Sequence, residues 1–304
     1  MATPFTAVAG ATGALGHLIA LELRNRNAEV KALVRPGTDS SRVEELRKAG
    51  VVITPVDLSD LQALTRELNG AKCVVSVLQG LKDVMHTTQG NLLDAAVAAK
   101  VPRFIPSDFS LDFTKTELGS NRNLDLRREF HDRLNESGIN WTTILNGGFM
   151  DLLGGDAPLL NHYWRRVPYV GSAEQLLDFT TMRDTAAYTA AVAQDHKPTP
   201  RILRIAGDVV SMRDIAEVAS EIEGAPYTAT WMGTVGFVRS MIWGLRIFGG
   251  EDQVFPVWQR MQYMANSFSG DGKLEPLDNG RYPEVKWTKV VDYLRQSKLE
   301  RSGS

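Results

Sequence analysis

The chain of 304 residues has few of the residues that mark several common protein classes. Its single cysteine, Cys73, excludes a disulfide framework and a zinc site built from cysteines. Cys73 stands in an apolar run, so we expect a small buried hydrophobe and not a reactive thiol. The five histidines do not cluster at the spacing of metal ligands, so no metal site is expected.

The chain also lacks a large excess of charge of one sign and lacks long uninterrupted apolar runs. The formal net charge is −2, and this near-neutral balance gives no reason to expect nucleic acid as a partner. The most apolar stretch, residues 231–250, contains Arg239 and Arg246, whose charges would be costly at the centre of a bilayer. We therefore expect no membrane partner. The first residues lack a basic region followed by an apolar core, so we expect a cytoplasmic protein without a secretory signal.

A glycine-rich turn stands out near the start of the chain. Gly10, Gly13 and Gly16 lie between an apolar run at residues 5–9 and an apolar-periodic segment that extends through Leu23. Between a strand and a helix, such glycines permit a tight turn, close approach of phosphate, and helix–strand packing. The helix start then binds the anion through its amides. An ordinary flexible loop is the alternative, but this context favours a dinucleotide site formed by Gly10, Thr12, Gly13, Ala14, Leu15 and Gly16.

Strand and helix patterns then alternate with short links. Strands are predicted at 29–35, 51–56, 72–77, 102–106 and 140–145. Helices are predicted at 42–49, from the loop at 57–60 through 68, at 84–100 and at 124–137. This alternation predicts an α/β fold with a mostly parallel sheet and helices on both faces. Beyond residue 148 the alternation ends and aromatic residues become frequent. Helices are predicted there at 183–193, 211–223 and 233–248, with a strand at 202–205.

The expected division is a dinucleotide-binding domain over residues 1–150 and a substrate-binding lobe over residues 151–304. Segments such as 178–207 are expected to return to the sheet of the first domain. The first domain should use NADP, because Arg35 ends the second strand where NAD enzymes place an acidic residue. A guanidinium can bind the 2′-phosphate with two parallel hydrogen bonds, and Arg42 could add a second charge. A solvated arginine at a strand end is the alternative.

Further cofactor contacts are expected from residues that follow the other strands. In open parallel sheets, ligands bind at the carboxyl ends of the strands. The residues at those positions are Asp57, Leu58, Leu78, Gln79, Ser107, Asp108, Phe109, Asn146, Gly147, Gly148 and Phe149. For Asp57 the alternative is a helix cap. Phe149 could instead face the substrate or belong to the core.

Four segments resemble the motifs of one group of proteins. They are Gly10-Ala-Thr-Gly-Ala-Leu-Gly16, Leu33-Val-Arg35, Arg103-Phe-Ile-Pro-Ser-Asp-Phe109 and Tyr282-Pro-Glu-Val-Lys-Trp-Thr288. They resemble the atypical short-chain dehydrogenases/reductases, specifically the NmrA-like and isoflavone-reductase-like group. The resemblance implies a Rossmann-type, doubly wound domain that binds NADP(H). It also implies a smaller C-terminal lobe that closes over a substrate pocket.

The resemblance also indicates where catalytic groups should lie. Related reductases use a lysine on the helix after the fifth strand, and a gapless alignment from Gly138 puts Arg127 at that position. A guanidinium stays charged and cannot act as a base, but it can stabilise a developing oxyanion. His131, one turn later, is the nearby group that titrates near neutrality. For both, the alternative is a residue on the helix surface. The only Tyr-x-x-x-Lys pattern, at Tyr282, contains a proline and is read as coincidence.

Two functions follow from these observations. One is an NADPH-dependent reductase of a small aromatic or apolar substrate with a carbonyl, enone, benzylic or propenyl group. The aromatic-rich second half favours it, because small-molecule pockets are mostly apolar. The other is a non-catalytic NADP(H)-binding regulator that senses redox state and binds a protein partner. The missing lysine favours the regulator.

Overall fold

The computed structural model describes residues 3–154 and 159–302, and its central feature is a six-stranded parallel sheet. The strand order is β3-β2-β1-β4-β5-β6, the arrangement of a doubly wound dinucleotide-binding fold. The order reverses between β1 and β4, which is where such sheets bind ligands. The predicted fold class is confirmed. The strands are β1 (Phe5–Ala9), β2 (Glu29–Val34), β3 (Val52–Pro55), β4 (Ala71–Ser76), β5 (Arg103–Ile105) and β6 (Asn140–Trp141).

Helices connect these strands, and side-chain caps set where several of them begin. Ser40 accepts a hydrogen bond from the Val43 amide at the start of α2, and Asp60 accepts one from the Ala63 amide at the start of α3. The predicted helix at 84–100 begins instead with a π-helical turn, Asp83–Thr88. The helices are α1 (Ala14–Asn25), α2 (Ser41–Lys48), α3 (Leu61–Leu68), α4 (Gln89–Ala98), α5 (Arg122–Glu136) and α6 (Met182–Gln194).

The predicted strand at 140–145 is two strands. β6 ends at Trp141, and β7 (Thr143–Leu145) pairs with β11 (Ile202–Arg204) in a separate two-stranded sheet. The backbone changes partner between neighbouring residues. The Thr142 amide donates to the Phe104 carbonyl, whereas the Thr143 amide donates to that of Arg201. Sequence pattern could not separate these strands, because the residues of β7 are as buried as those of a central strand.

The core beside the sheet is formed by the apolar faces of α3, α4 and α5. Leu64, Leu92 and Phe130 are almost completely buried there against Phe104 of β5. Such burial contributes about 25 cal/mol per Å² of apolar area removed from water. Cys73 lies within β4 with no exposed surface, and burial raises the pKa of its thiol to about 12. The thiol is therefore protonated at neutral pH, and the prediction of a buried hydrophobe is confirmed.

The second half of the chain builds smaller sheets and four further helices. The short strands are β8 (Gly148–Phe149), β9 (Arg166–Tyr169), β10 (Leu177–Thr180), β12 (Asp208–Val210) and β13 (Thr228–Trp231), which pair as β12-β10-β8 and β13-β9. Ser211 and Asp214 form the capping box of α7. Pattern reading missed α9, whose polar residues are buried. The helices are α7 (Met212–Glu223), α8 (Val235–Arg246), α9 (Val257–Ser269) and α10 (Val290–Ser302).

The chain divides into two compact units that are discontinuous in sequence, whereas the sequence analysis divided it once, after residue 150. The first unit contains residues 1–109, 126–144 and 185–203, and the second contains the rest. The boundary falls within α5, β7, α6 and β11, so each of these continuous elements contributes to both units. Within residues 3–154 and 159–302, no helix has both the length and the hydropathy of a membrane span.

Helix α4 offers a matched test of this core. Leu92→Ala removes a side chain with 0% exposure and should lower the free energy of unfolding by about 2–5 kcal/mol. Val97→Ala, on the same helix with 39% exposure, should change it by less than about 1 kcal/mol. Denaturant unfolding followed by circular dichroism measures both. Equal losses in the two variants would contradict the assigned packing face of α4.

Candidate cofactor and active site

The three glycines of the turn after β1 have different surroundings. Gly10 has φ +85°, a left-handed conformation that favours glycine, and an added Cβ would overlap the Val77 carbonyl. At Gly16 an added Cβ would overlap the Gly10 carbonyl, so α1 can lie against the turn only without a side chain there. Gly13 differs, because its added Cβ would meet only the Gly10 oxygen, at 3.3 Å. Gly13 and Ala14 are exposed, which leaves the tip of the turn open to a ligand.

The start of α1 is suited to an anion. Its N-cap is Gly13, so no side chain caps the first amides, and its first turn contains no acidic residue. Amides without intrahelical partners and the positive end of the helix dipole favour a negative ligand at such a site. The half-buried Thr12 and the buried Leu15 flank the exposed tip. The geometry supports the predicted pyrophosphate site.

Two arginines lie beside this turn. Arg35 follows the last residue of β2 and is exposed; within the described part of the chain its guanidinium has no hydrogen bond or ion pair. Arg42, on α2, donates from Nη1 to the Thr12 carbonyl oxygen at 2.9 Å. The sequence suggested a charge at Arg42 but not this contact with the turn. The structure therefore offers one available guanidinium after β2 and a second one attached to the glycine turn.

Helices α1 and α2 are also joined by a contact between two side chains. His17 Nε2 lies 3.1 Å from Glu45 Oε2, and His17 is largely buried. This pair and the Arg42–Thr12 bond hold α2 against the glycine turn. Arg42 is thereby positioned by two contacts, neither of which has a recognisable sequence pattern.

Asp57 and Leu58 lie in the loop after β3. The exposed Asp57 carboxylate accepts the Ser59 amide at 2.8 Å, and hydrogen bonds from Ser59 lower its pKa. The helix cap proposed as the alternative role for Asp57 is filled by Asp60. The Leu58 carbonyl accepts a hydrogen bond from Asn91 Nδ2 at 3.2 Å. Asp57 is thus an ionised, exposed acceptor at the carboxyl end of the sheet.

The ends of β4 and β5 are joined by a buried serine. Ser107 Oγ donates to the Leu78 carbonyl at 2.7 Å, and the Ser107 amide donates to Gln89 Oε1 at 2.9 Å. Gln89 is completely buried and was not identified from the sequence. Leu78 is half-buried and Gln79 is exposed beside it. Ser107 therefore fixes this edge of the sheet, while Gln79 remains accessible.

Asp108 and His131 were predicted as separate site residues, and the structure brings them together. His131 Nε2 lies 2.7 Å from Asp108 Oδ2, and Thr143 Oγ1 donates to the same oxygen at 2.5 Å. Beside an ionised carboxylate, which only accepts hydrogen bonds, Nε2 of the imidazole would be the nitrogen that carries the hydrogen. Asp108 is completely buried, with its carboxylate directed at the imidazole. Half-buried Phe109 follows it in the chain.

His131 is not the surface histidine that was the alternative. Its exposure is 8%, and its ring lies 4.7 Å from that of Trp141. Arg127 lies one turn earlier on α5 and is half-buried. These residues make a carboxylate–imidazole pair with a guanidinium on the same helix. Within residues 3–154 and 159–302, no group of three or more histidine, cysteine or acidic side chains could hold a metal ion.

Residues 146–149 belong to the second unit. Asn146 has no exposed surface, and neither end of its side-chain amide has a hydrogen-bond partner among the described residues. Buried amides in native proteins are nearly always satisfied, so this group favours a bound ligand. Gly147 has φ +68°, and an added Cβ would overlap the Asp178 carbonyl. Gly148 and half-buried Phe149 form β8.

Buried Asp178 supports this segment from β10. Its carboxylate pairs with Lys273 and accepts the Leu274 amide at 2.8 Å. Burial raises the pKa of Asp178, while the Leu274 and Lys273 hydrogen bonds oppose that shift. The sequence identified Gly147 and Gly148 but not this anchor.

Known proteins resemble the chain over nearly its whole length. It is 22% identical over 305 residues to pinoresinol reductase 2 of Arabidopsis thaliana, covering 95% of each protein. The structure of AtPrR2 with NADP+ and (+)-pinoresinol has a TM-score of 0.81 at 19% identity, covering 97% of this chain and 99% of that one.

A bacterial structure is also similar. Quinone oxidoreductase QOR2 of Escherichia coli, complexed with NADPH, has a TM-score of 0.75 at 21% identity and covers 96% of this chain and 99% of its own. The two structures are named with NADP+ and NADPH, the predicted cofactor, and the relatives are named as a reductase and an oxidoreductase, the predicted enzyme class. The model of the NmrA-like family matches residues 4–294. The chain therefore belongs to the NmrA-like family, as its motifs predicted.

Proposed function

We propose that the chain is an NADP-dependent oxidoreductase that uses NADPH to reduce a small aromatic or apolar substrate by hydride transfer. The expected acceptor is a carbonyl, an enone, or a benzylic or propenyl carbon. The observation that carries the proposal is the open glycine turn at the uncapped start of α1, with Arg35 and Arg42 beside it. The relatives named as a pinoresinol reductase and a quinone oxidoreductase support an aromatic substrate.

The residues present fit NADP(H). The α1 amides would hold the pyrophosphate, and Arg35 and Arg42 would hold the 2′-phosphate through charge-assisted hydrogen bonds. Arg42 uses one N–H on Thr12, which leaves other donors of its planar fork for the phosphate. When bound, NADPH supplies the hydride, so the protein needs to supply orientation, exclusion of water and charge stabilisation.

Two residues of α5 are proposed to act on the substrate. Arg127 would stabilise the negative oxygen that develops as the acceptor is reduced, because its charge is permanent. His131 would transfer the proton, and Asp108 would orient its ring and hold the hydrogen at Nε2. This role for Asp108 replaces the cofactor contact expected from its position after β5. Asp108 is thus a positioning residue.

A non-catalytic NADP(H)-binding regulator is the second candidate. Arg127 favours it, because the group's catalytic lysine is replaced by a residue that cannot act as a base. This function requires the same cofactor site but no turnover. The substrate in that case is replaced by a protein partner whose association changes with the redox state of the cofactor.

The glycine turn can be tested with two valine substitutions. Gly13→Val should remove binding of NADPH and NADH alike while the fold survives, because an added Cβ would meet one atom, Gly10 O at 3.3 Å, and no backbone overlap as at Gly16. Gly16→Val should also lower the free energy of unfolding, by about 1–3 kcal/mol, because its side chain overlaps the Gly10 backbone. Calorimetric titration and thermal melting measure the two effects. Normal binding by Gly13→Val would refute the phosphate site.

Cofactor preference should depend on Arg35. Arg35→Asp should weaken NADPH binding by about 2–3 kcal/mol, since a charge-assisted pair is replaced by repulsion. Its effect on NADH should be small. Arg66→Asp, which changes an exposed arginine on α3, is the matched control and should leave both affinities unchanged. Titration of both cofactors decides the matter; equal affinity of the wild type for NADH and NADPH would exclude the assigned role.

Turnover should depend on Arg127. Arg127→Met should reduce kcat about a hundredfold, the effect of losing about 3 kcal/mol of oxyanion stabilisation, with NADPH affinity nearly unchanged. Arg127→Lys should retain part of the activity because the ammonium keeps the charge. Arg128→Met, on the neighbouring position of α5, is the control. NADPH oxidation across aryl ketones, enones, quinones and aryl propenes provides the assay.

Each outcome of this assay separates the candidates. Turnover by the wild type that Arg127→Met leaves unchanged would contradict the role of Arg127 and make His131 the next residue to test. No turnover in any variant, with cofactor-dependent association with another protein, would support the regulator.

A further inference from the structure

The residues of helix α8 are arranged symmetrically about one position, Ser240, on both its inward and its outward face. Val238 and Ile242 are 3% and 8% exposed and pack into the second unit's core. Successive residues of a helix are rotated by about 100° around its axis, so the direction midway between Val238 and Ile242 points into the core. Ser240 lies on the opposite side of the helix. Ser240 is exposed. The outward face of α8 is therefore centred on Ser240.

Two glycines flank Ser240 at equal spacing. Gly236 and Gly244 lie about 40° to either side of it on the helical projection. An added Cβ at Gly236 would meet only Thr234 Oγ1, at 3.9 Å, and one at Gly244 would meet nothing within 4 Å. Gly236 is the second residue of α8 and Gly244 the third from its end, so each has part of the cost of about 1 kcal/mol that glycine has relative to alanine in a helix interior. No contact within the described chain explains either glycine, and small residues four apart allow two helices to approach closely.

Large apolar side chains border the small residues. Phe237 and Trp243 lie about 60° to either side of Ser240, with exposures of 55% and 75%. Met241, Ile247 and Phe248 are 41%, 71% and 87% exposed. Since a large side chain buries about 200 Å², the five present about 650 Å² of apolar surface. A standard interface takes about 800 Å² from each partner, so this face is large enough to carry most of one.

The charges beside this face are neutralised within the chain. Arg239 Nη2 lies 3.1 Å from Asp271 Oδ2, and Arg246 Nη2 lies 3.0 Å from Glu251 Oε1. Two copies of α8 could therefore meet without repulsion between unpaired arginines. This face of α8 is therefore apolar, has small residues at its centre, and has paired charges at its edges.

We propose that α8 packs antiparallel against α8 of a second copy of this chain, across a two-fold axis at Ser240. Gly236 would lie against the partner's Gly244, and Phe237 against the partner's Trp243. An isologous interface needs one surface that is complementary to itself. The sequence Gly-Phe-Val-Arg-Ser-Met-Ile-Trp-Gly of residues 236–244 approaches that property, since residues equidistant from Ser240 are alike in size at every pair except Arg239 and Met241.

The mass in solution tests this interface. Sedimentation equilibrium should give a dimer for the wild type. Ser240→Arg places two like charges at the axis and should raise the dimer dissociation constant about a hundredfold or more, with an unchanged circular dichroism spectrum. Gln296→Arg, on an exposed position of α10, is the matched control and should remain dimeric. A monomeric wild type would overturn the proposal.

Cross-linking provides a second test. Cys73 has no exposed surface, so Ser240→Cys introduces the only accessible thiol among the described residues. Mild oxidation should convert this variant to a disulfide-linked dimer, while Gln296→Cys should stay uncross-linked. Absence of the Ser240→Cys dimer would overturn the assigned axis.

Two other occupants of the face give different results. Sedimentation of a monomeric wild type with phosphatidylcholine vesicles would assign the face to a lipid surface. A monomeric wild type in which Ser240→Arg raises KM for the aryl substrate would assign it to covering the substrate. Both results would overturn the proposal. The dimer test requires no turnover, so its failure is distinguishable from failure of the proposed reductase.

Discussion

The structure of the cofactor end depends on one steric constraint, the contact between Gly16 and the Gly10 backbone. Because any Cβ at Gly16 would overlap the Gly10 carbonyl, only glycine lets α1 begin this close to the end of β1. This contact sets the direction of α1 and leaves its first amides at the carboxyl edge of the sheet. The accessible position of Gly13, the contact of Arg42 with Thr12, and the position of α2 all follow from it.

A second constraint is the burial of Asp108. A carboxylate with no exposed surface is costly unless hydrogen-bonded, so His131 and Thr143 must remain beside it. The carboxylate thereby joins the residue after β5 to α5 and β7. Arg127 lies on the same helix as His131, so its position also depends on how α5 is held. Chemistry at this helix and stability of the sheet edge are therefore linked.

In the second unit, the apolar side chains of α8 are divided between the core and the surface. Its core takes Val238 and Ile242 from α8 but leaves larger side chains of that helix exposed. Apolar patches of several hundred Å² are uncommon on monomeric proteins unless they bind something. Among the described residues, no close contact would exclude a side chain at Gly236 or Gly244, although glycine has a conformational cost in a helix. Their placement around Ser240 is the property of a surface that meets its own copy.

The sequence by itself determined the first five strands of the sheet, the glycine turn and the family. They can be read from the hydrophobic periodicity of short segments and from motifs of a few consecutive residues, which do not depend on contacts with the rest of the chain. The capping box of Ser211 and Asp214 was predictable for the same reason. The order of strands and helices up to β5 followed from the alternation of apolar runs.

Only the tertiary structure decided which distant residues meet. Asp108 and His131 are 23 positions apart and Thr12 and Arg42 are 30 apart, and neither pair has a local pattern. The break after Trp141 was decided by the partners available to each backbone amide, and the discontinuous units by long-range packing. The polar residues of α9 concealed a buried helix because their side chains form hydrogen bonds to distant residues, as Gln259 Nε2 does to Asn121 Oδ1. Such contacts arise only when the chain is folded, because sequence separation does not encode distance in space.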